Sequence, residues 1–119
     1  MAAQSTAVAI ARAFTEAWTS QDMATAGSYV DENVVFDGPL GHADGKAQYL
    51  EGLNGLIHAL GVTGVRILAA FGDETQALLM YDLVTDQFGP LTCTKLLTIR
   101  DGKIQTDRLT FDSYVVRKS

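Results

Sequence analysis

Residues 13–39 read AFTEAWTSQDMATAGSYVDENVVFDGP, and the order of elements in this stretch decides the fold. Phe14, Ala17 and Trp18 continue the three- and four-residue spacing of Val8, Ala9 and Ile10, which predicts an amphipathic helix over 6–20 with an aromatic face. Thr19, Ser20 and Gln21 interrupt it. Asp22 is placed to cap a second, short helix running to Tyr29, because a carboxylate there accepts from otherwise orphan backbone donors. Asp31, Glu32 and Asn33 end that helix. Val34, Val35 and Phe36 are β-formers that lead into Asp37, Gly38 and Pro39, so a short strand stops at a turn with Asp37 at its end.

Outward from this segment, the glycine-containing stretch 40–45 reads as a loop. Tyr49, Leu50, Leu53, Leu56, Ile57 and Leu60 then recur at helical spacing, predicting a third helix over 46–60 with Gly61 as its C-cap. Four strands are expected after it, over 62–71, 76–85, 91–100 and 103–116, separated by turns that include Gly72 to Glu74 and Asp101-Gly102. The expected architecture is α+β, with three N-terminal helices packed on a curved antiparallel sheet, as a single domain over 1–119. A 119-residue chain that is 47% hydrophobic can bury a core of this kind. Its net charge of −5 and the lack of any Lys or Arg cluster argue against a nucleic-acid partner. Arg12 and Glu16 break the apolar residues near the start, which favours a helix over a signal peptide. No run of about eighteen apolar residues suggests a membrane span, and Cys93 is a lone cysteine, so a cytoplasmic protein without disulfides is expected.

The segment 13–39, together with IRDGKIQTDRLTFD at 99–112, resembles the nuclear transport factor 2-like superfamily, with its SnoaL-like, ketosteroid isomerase-like and limonene epoxide hydrolase-like members. The resemblance covers nearly the whole chain and implies a curved sheet wrapped round a conical pocket for an apolar small molecule, and a homodimer. It puts Asp37 where ketosteroid isomerase-like members keep a carboxylate base that moves a proton beside a carbonyl. Asp37 can also serve simply to open its own turn. By the same resemblance the oxyanion-hole tyrosine of those members falls at Phe14 and their protonated aspartic acid at Lys95. Phe14 donates no hydrogen bond, whereas a lysine near a developing enolate stabilises it. Leu109 stands where the epoxide hydrolase-like members carry a catalytic aspartate, which argues against that triad.

Strand alternation adds a second expectation. Taking Leu78, Met80, Asp82 and Val84 as one face, opposite Leu91, Cys93, Lys95 and Leu97, makes Asp82 and Lys95 an ion pair inside the cone. A one-residue slip would send both to solvent. Asp107, Leu109 and Phe111 share a face of the last strand, and Asp112 closes the segment. His42, in the loop, is placed to reach the pocket mouth, while His42 and His58 are too far apart in sequence, and too poor in neighbouring ligands, to suggest a metal. Cys93 reads as a small buried residue. Phe14, Trp18, Phe36, Tyr49 and Phe111 serve either as plain core or, with Leu53, Met80 and Cys93, as pocket wall. The expectation is therefore a cofactor-independent isomerase, cyclase or lyase-type enzyme, with Asp37 as base and Lys95, paired to Asp82, as electrophile. The alternative is a non-catalytic dimeric ligand-binding or interaction domain, joined through an outer sheet face that includes Thr92, Thr94 and Leu96.

Overall fold

The computed structural model describes residues 6–114. Helix α1 (Thr6–Thr19) turns its Ala7, Val8, Ala11, Phe14 and Trp18 stripe inward. Helix α2 (Met23–Ser28) has only six residues, too short to stand alone, and Asp22 caps it by accepting from the Thr25 N–H at 3.2 Å. Strands β1 (Val30–Gly38) and β2 (Gly41–Asp44) then form a hairpin. Helix α3 (Lys46–Leu60) follows, burying Tyr49, Leu53, Ile57 and Leu60, and ends at Gly61, whose left-handed φ of 68° lets its N–H return to the Ile57 carbonyl. The chain finishes in strands β3 (Val62–Gly72), β4 (Gln76–Thr85), β5 (Gly89–Arg100) and β6 (Lys103–Phe111).

These strands make one six-stranded sheet in the order β2-β1-β6-β5-β4-β3. From the β1–β2 edge the chain crosses through α3 to the far edge, then returns strand by strand until β6 lies beside β1. That return makes β1 and β6 parallel, so the sheet is mixed and not wholly antiparallel as expected. Two further expectations change. The stretch 40–45 is not a plain loop, because residues 41–44 pair with β1. Strand β1 also begins at Val30, with Asp31, Glu32 and Asn33 lying within it, and its pairing shifts between Val30 and Val35. Two strands thus precede α3. The last strand ends at Phe111, and residues 115–116 of the expected strand lie outside the described residues.

Helix α1 lies across β3, β4 and β5 while α3 lies on β1 and β2, so one sheet face is covered. On that face β4 places Ala77, Leu79, Tyr81 and Leu83, and β5 places Leu91, Cys93, Lys95, Leu97 and Ile99, all buried. The expected face of β4 is corrected by this register. Leu79 pairs with Lys95 and Leu83 with Leu91, whereas Asp82 pairs with Thr92 on the uncovered face. There Thr92 Oγ1 donates to Asp82 Oδ1 at 2.6 Å, so the Asp82–Lys95 ion pair does not exist. Met80, expected in the pocket wall, is likewise outside and 44% exposed. The hairpin sets this arrangement: Thr85 pairs with Gly89, and its hydroxyl accepts from the Phe88 N–H and donates to the Gly89 carbonyl. On β6 a register shift beside Thr98 buries both Ile104 and Asp107, three residues apart, on the same face.

Candidate functional site

The space between the helices and the covered face of the sheet holds a cavity of about 420 Å³. Phe36, Leu53, Tyr81, Leu109 and Phe111 give it apolar walls, and Trp18, Tyr49 and Lys95 also line it. Alternation along β1 turns Phe36 inward and Asp37 outward. The Phe36 ring lies across Gly38, where a Cβ would come within 2.7 Å of Phe36 Cζ, so glycine at 38 gives this wall its room. Exposed Pro39, Leu40 and His42 of the β1–β2 hairpin also line the cavity, on its solvent side.

A charged pair lies in this apolar setting. Lys95 is 2% exposed and Asp107 is 1% exposed, and Lys95 Nζ donates to Asp107 Oδ2 at 3.2 Å. The two are diagonal neighbours, because Leu97 faces Asp107 and Lys95 faces Leu109 across the β5–β6 ladder. The Tyr49 hydroxyl donates to the same carboxylate oxygen from α3. Lys95 Nζ also sits 5.3, 5.6 and 5.5 Å from the ring centroids of Phe14, Trp18 and Tyr81, within cation–π range of all three. Tyr49 is held in turn by stacking on Phe14, with centroids 5.9 Å apart, and by contact with Phe36 at 5.5 Å. Burial, and then the negative charge of Asp107, keep the Tyr49 phenol well above its ordinary value of 10, so it remains a donor. Two polar atoms at the site have no hydrogen-bonding partner among the described residues: Asp107 Oδ1 and the indole Nε1 of Trp18.

The remaining candidates fall into separate places. Asp37 is not among the cavity-lining residues; its side chain is 63% exposed and accepts from or pairs with His42 Nδ1 at 2.7 Å. His42 Nε2 lies 3.0 Å from Asp44 Oδ2, so the imidazole bridges two carboxylates at the solvent side of the cavity. Phe14, Cys93 and Asp107, all expected on the pocket wall, are buried and not among the cavity-lining residues. Burial pushes the Cys93 thiol up to about 11, and Tyr81 is hydrogen-bonded to it, which leaves little thiolate at neutral pH. His58 is exposed on α3. Among the described residues no cluster of three or more His, Cys, Asp or Glu could hold a metal ion. Sequence reasoning missed the Lys95–Asp107–Tyr49 set and the place of Tyr81. The alternation of Leu79, Tyr81 and Leu83 is the signal that marks Tyr81 as inward.

A family profile described as the SnoaL-like domain matches residues 11–106 of this chain, which includes Tyr49 and Lys95 and stops one residue before Asp107. The chain belongs to the SnoaL-like domain family. Among solved structures, a protein of Kribbella flavida DSM 17836 is similar at 33% identity over 97% of this chain and 93% of that one, with a TM-score of 0.89. An NTF2-like protein of unknown function from Cytophaga hutchinsonii ATCC 33406 is similar at 20% identity over 98% of this chain and 99% of that one, with a TM-score of 0.80. An LEH-like epoxide hydrolase of M. tuberculosis is similar at 20% identity over 95% of this chain and 87% of that one, with a TM-score of 0.78. These last two likenesses concern the fold. No curated protein sequence matches significantly. No helix among the described residues is long and apolar enough to cross a membrane.

Hydrogen bonds to Asp37 and then to Asp44 raise the His42 pKa above its ordinary 6.5. Because the folded value lies above the unfolded one, the clasp stabilises the hairpin fully below about pH 6.5 and this contribution fades as pH rises through the folded value. An NMR titration should place the His42 midpoint above 6.5, with Asp37→Asn lowering it; an unchanged midpoint in that variant would show that the contact is not formed in solution.

Proposed function

We propose that this SnoaL-like domain binds a small, mostly apolar, carbonyl-bearing molecule in the cavity between helices and sheet. The observation that carries this reading is the placement of Lys95, a buried cation, on the lining of a cavity walled mostly by aromatic and aliphatic side chains, with exposed His42, Gln48 and Glu51 also on the lining. A ligand carbonyl that reaches Lys95 Nζ would be polarised by a charge that needs no reorganisation. If the ligand has an acidic C–H beside that carbonyl, the resulting enolate would be stabilised by the same ammonium group. Abstraction of the proton then needs a base inside the site. Asp37 is on the wrong face of β1 for this, with its carboxylate engaged by His42 in solvent. The reading therefore moves the base role to Asp107, which is not itself on the cavity lining but is buried against Lys95, which is, and whose Oδ1 has no partner among the described residues.

Thermal shift with a panel of small ketones tests binding, and loss of α-proton signals in D₂O by NMR tests enolisation. A ketone at about 100 times its Kd should add about 2.7 kcal/mol to the stability of the wild type. Asp37→Asn should keep both binding and exchange, while Asp107→Asn, with its fold verified by circular dichroism, should keep binding and lose exchange. Exchange that disappears in Asp37→Asn and persists in Asp107→Asn would return the base role to Asp37, and a panel without any binder would end the small-molecule reading.

A second reading, that the domain is a homodimer, is favoured by one observation. Phe71, Leu78, Met80, Val84 and Leu96 are 37 to 70% exposed, and where β3, β4 and β5 pair, Phe71 faces Leu78 and Leu78 faces Leu96 on the uncovered side of the sheet. Apolar side chains grouped in this way commonly mark an interface. Sedimentation velocity should return a dimer for the wild type and a monomer for the double variant Leu78→Asp, Leu96→Asp. A monomeric wild type at tens of micromolar would dismiss this second reading and leave the first intact.

A further inference from the structure

The buried end of the cavity has an electrostatic character that narrows its ligand further than apolar walls alone. Lys95 and Asp107 cancel in charge, and Tyr49 remains a neutral phenol, so the polar set is neutral overall. Its spare groups are mostly donors: Asp107 Oδ1 is an unpartnered acceptor, but Asp107 is not on the cavity lining. Lys95 Nζ carries three N–H groups, one of which is used on Asp107 Oδ2, while the faces of Phe14, Trp18 and Tyr81 surround the ammonium without offering an oxygen. Trp18 Nε1 is a donor only, buried, and without an acceptor among the described residues, although Trp18 lines the cavity. A buried donor left without a partner carries a desolvation cost that an incoming acceptor would remove.

We propose that the Trp18 indole N–H and the Lys95 ammonium form a subsite for one uncharged oxygen acceptor, a ketone or related carbonyl, and that this subsite discriminates against both carboxylates and amines. This rests on the small-molecule reading of the cavity. A carboxylate would bring a second negative charge to a cation that Asp107 already neutralises, leaving one net charge buried. An amine would bring donors to a place where the spare groups of Lys95 and Trp18 are themselves donors, and its charge would oppose that of Lys95. An uncharged carbonyl avoids both costs and has two lone pairs for two donors. Trp18 is thereby a specificity-determining residue, a role separate from its use as an aromatic wall.

The test uses four ligands on one phenylalkyl body: 4-phenyl-2-butanone, butylbenzene, 3-phenylpropanoate and 3-phenylpropylamine, each titrated calorimetrically into the full chain at pH 7.5. A neutral hydrogen bond contributes about 1 kcal/mol, or roughly a five-fold change in Kd, so the ketone should bind at least about five-fold tighter than butylbenzene. The two charged ligands should bind more weakly than the ketone by about ten-fold or more. Trp18 is the chain's single tryptophan, so its indole N–H gives one resonance that should move downfield with the ketone and not with butylbenzene. Trp18→Phe keeps an aromatic wall without the donor and should reduce the ketone's advantage about five-fold while leaving butylbenzene within two-fold. A carboxylate that matches the ketone, a ketone no better than butylbenzene, or an unmoved indole resonance would each overturn the subsite while leaving the pocket reading in place. Failure of all four ligands to bind, butylbenzene included, would overturn both. The wild-type series and its resonance decide the matter even if Trp18→Phe does not fold.

Discussion

Lys95 and Asp107 meet at 3.2 Å between β5 and β6 with almost no access to solvent, and the rest of the structure is arranged around that contact. Removing two such ions from water costs several kcal/mol each, and their attraction offsets this only when further hydrogen bonds satisfy them. Tyr49 contributes one of those bonds from α3, and the rings of Phe14, Trp18 and Tyr81 flank the ammonium. The pair therefore ties together α1, α3 and the three strands β4, β5 and β6. It also depends on a local irregularity. Without the register shift beside Thr98, the alternation that buries Ile104 would turn Asp107 to the outside.

The same contact accounts for the character of the cavity. Trp18 and Tyr81, two of the rings around the ammonium, are also walls against which a ligand would lie, and the hairpin β1–β2 supplies Phe36 on the inside while keeping Asp37, His42 and Asp44 as a clasp in solvent. Membership of the SnoaL-like domain family describes the shape in which this happens. The chemistry proposed for the cavity rests on this chain's own polar atoms, in particular the orphan indole N–H and carboxylate oxygen.

Much of the fold was legible because its signals are local. Helical spacing located α1 and α3, Gly61 marked the end of α3, and the Asp101-Gly102 turn separated β5 from β6. The pairing of Lys95 was not legible, because β4 is apolar on both faces: Leu78, Met80 and Val84 alternate with Leu79, Tyr81 and Leu83, and period-two patterning then fails to say which set is inward. That ambiguity sent Asp82 to the inside and Met80 to the pocket in the sequence reading. Asp37 was misplaced for a similar reason. A turn signal shows where a strand stops, but only the hairpin with β2 reveals that Phe36 takes the inward position. For Asp107 the sequence favours a solvated strand residue over an inward acid, because its partners come from α3 and β5, 58 and 12 residues away, and no sequence spacing announces them.

A double-mutant cycle on Lys95→Met and Asp107→Leu, read by urea unfolding, tests the central contact most directly. Each single variant strands a buried charge and should lose about 3–5 kcal/mol, whereas the double variant replaces the pair by apolar side chains and should lose far less than the sum. The same cycle with Asp82→Asn in place of Asp107→Leu should show no coupling to Lys95. Additive losses for Lys95 and Asp107, or coupling between Lys95 and Asp82, would contradict the account.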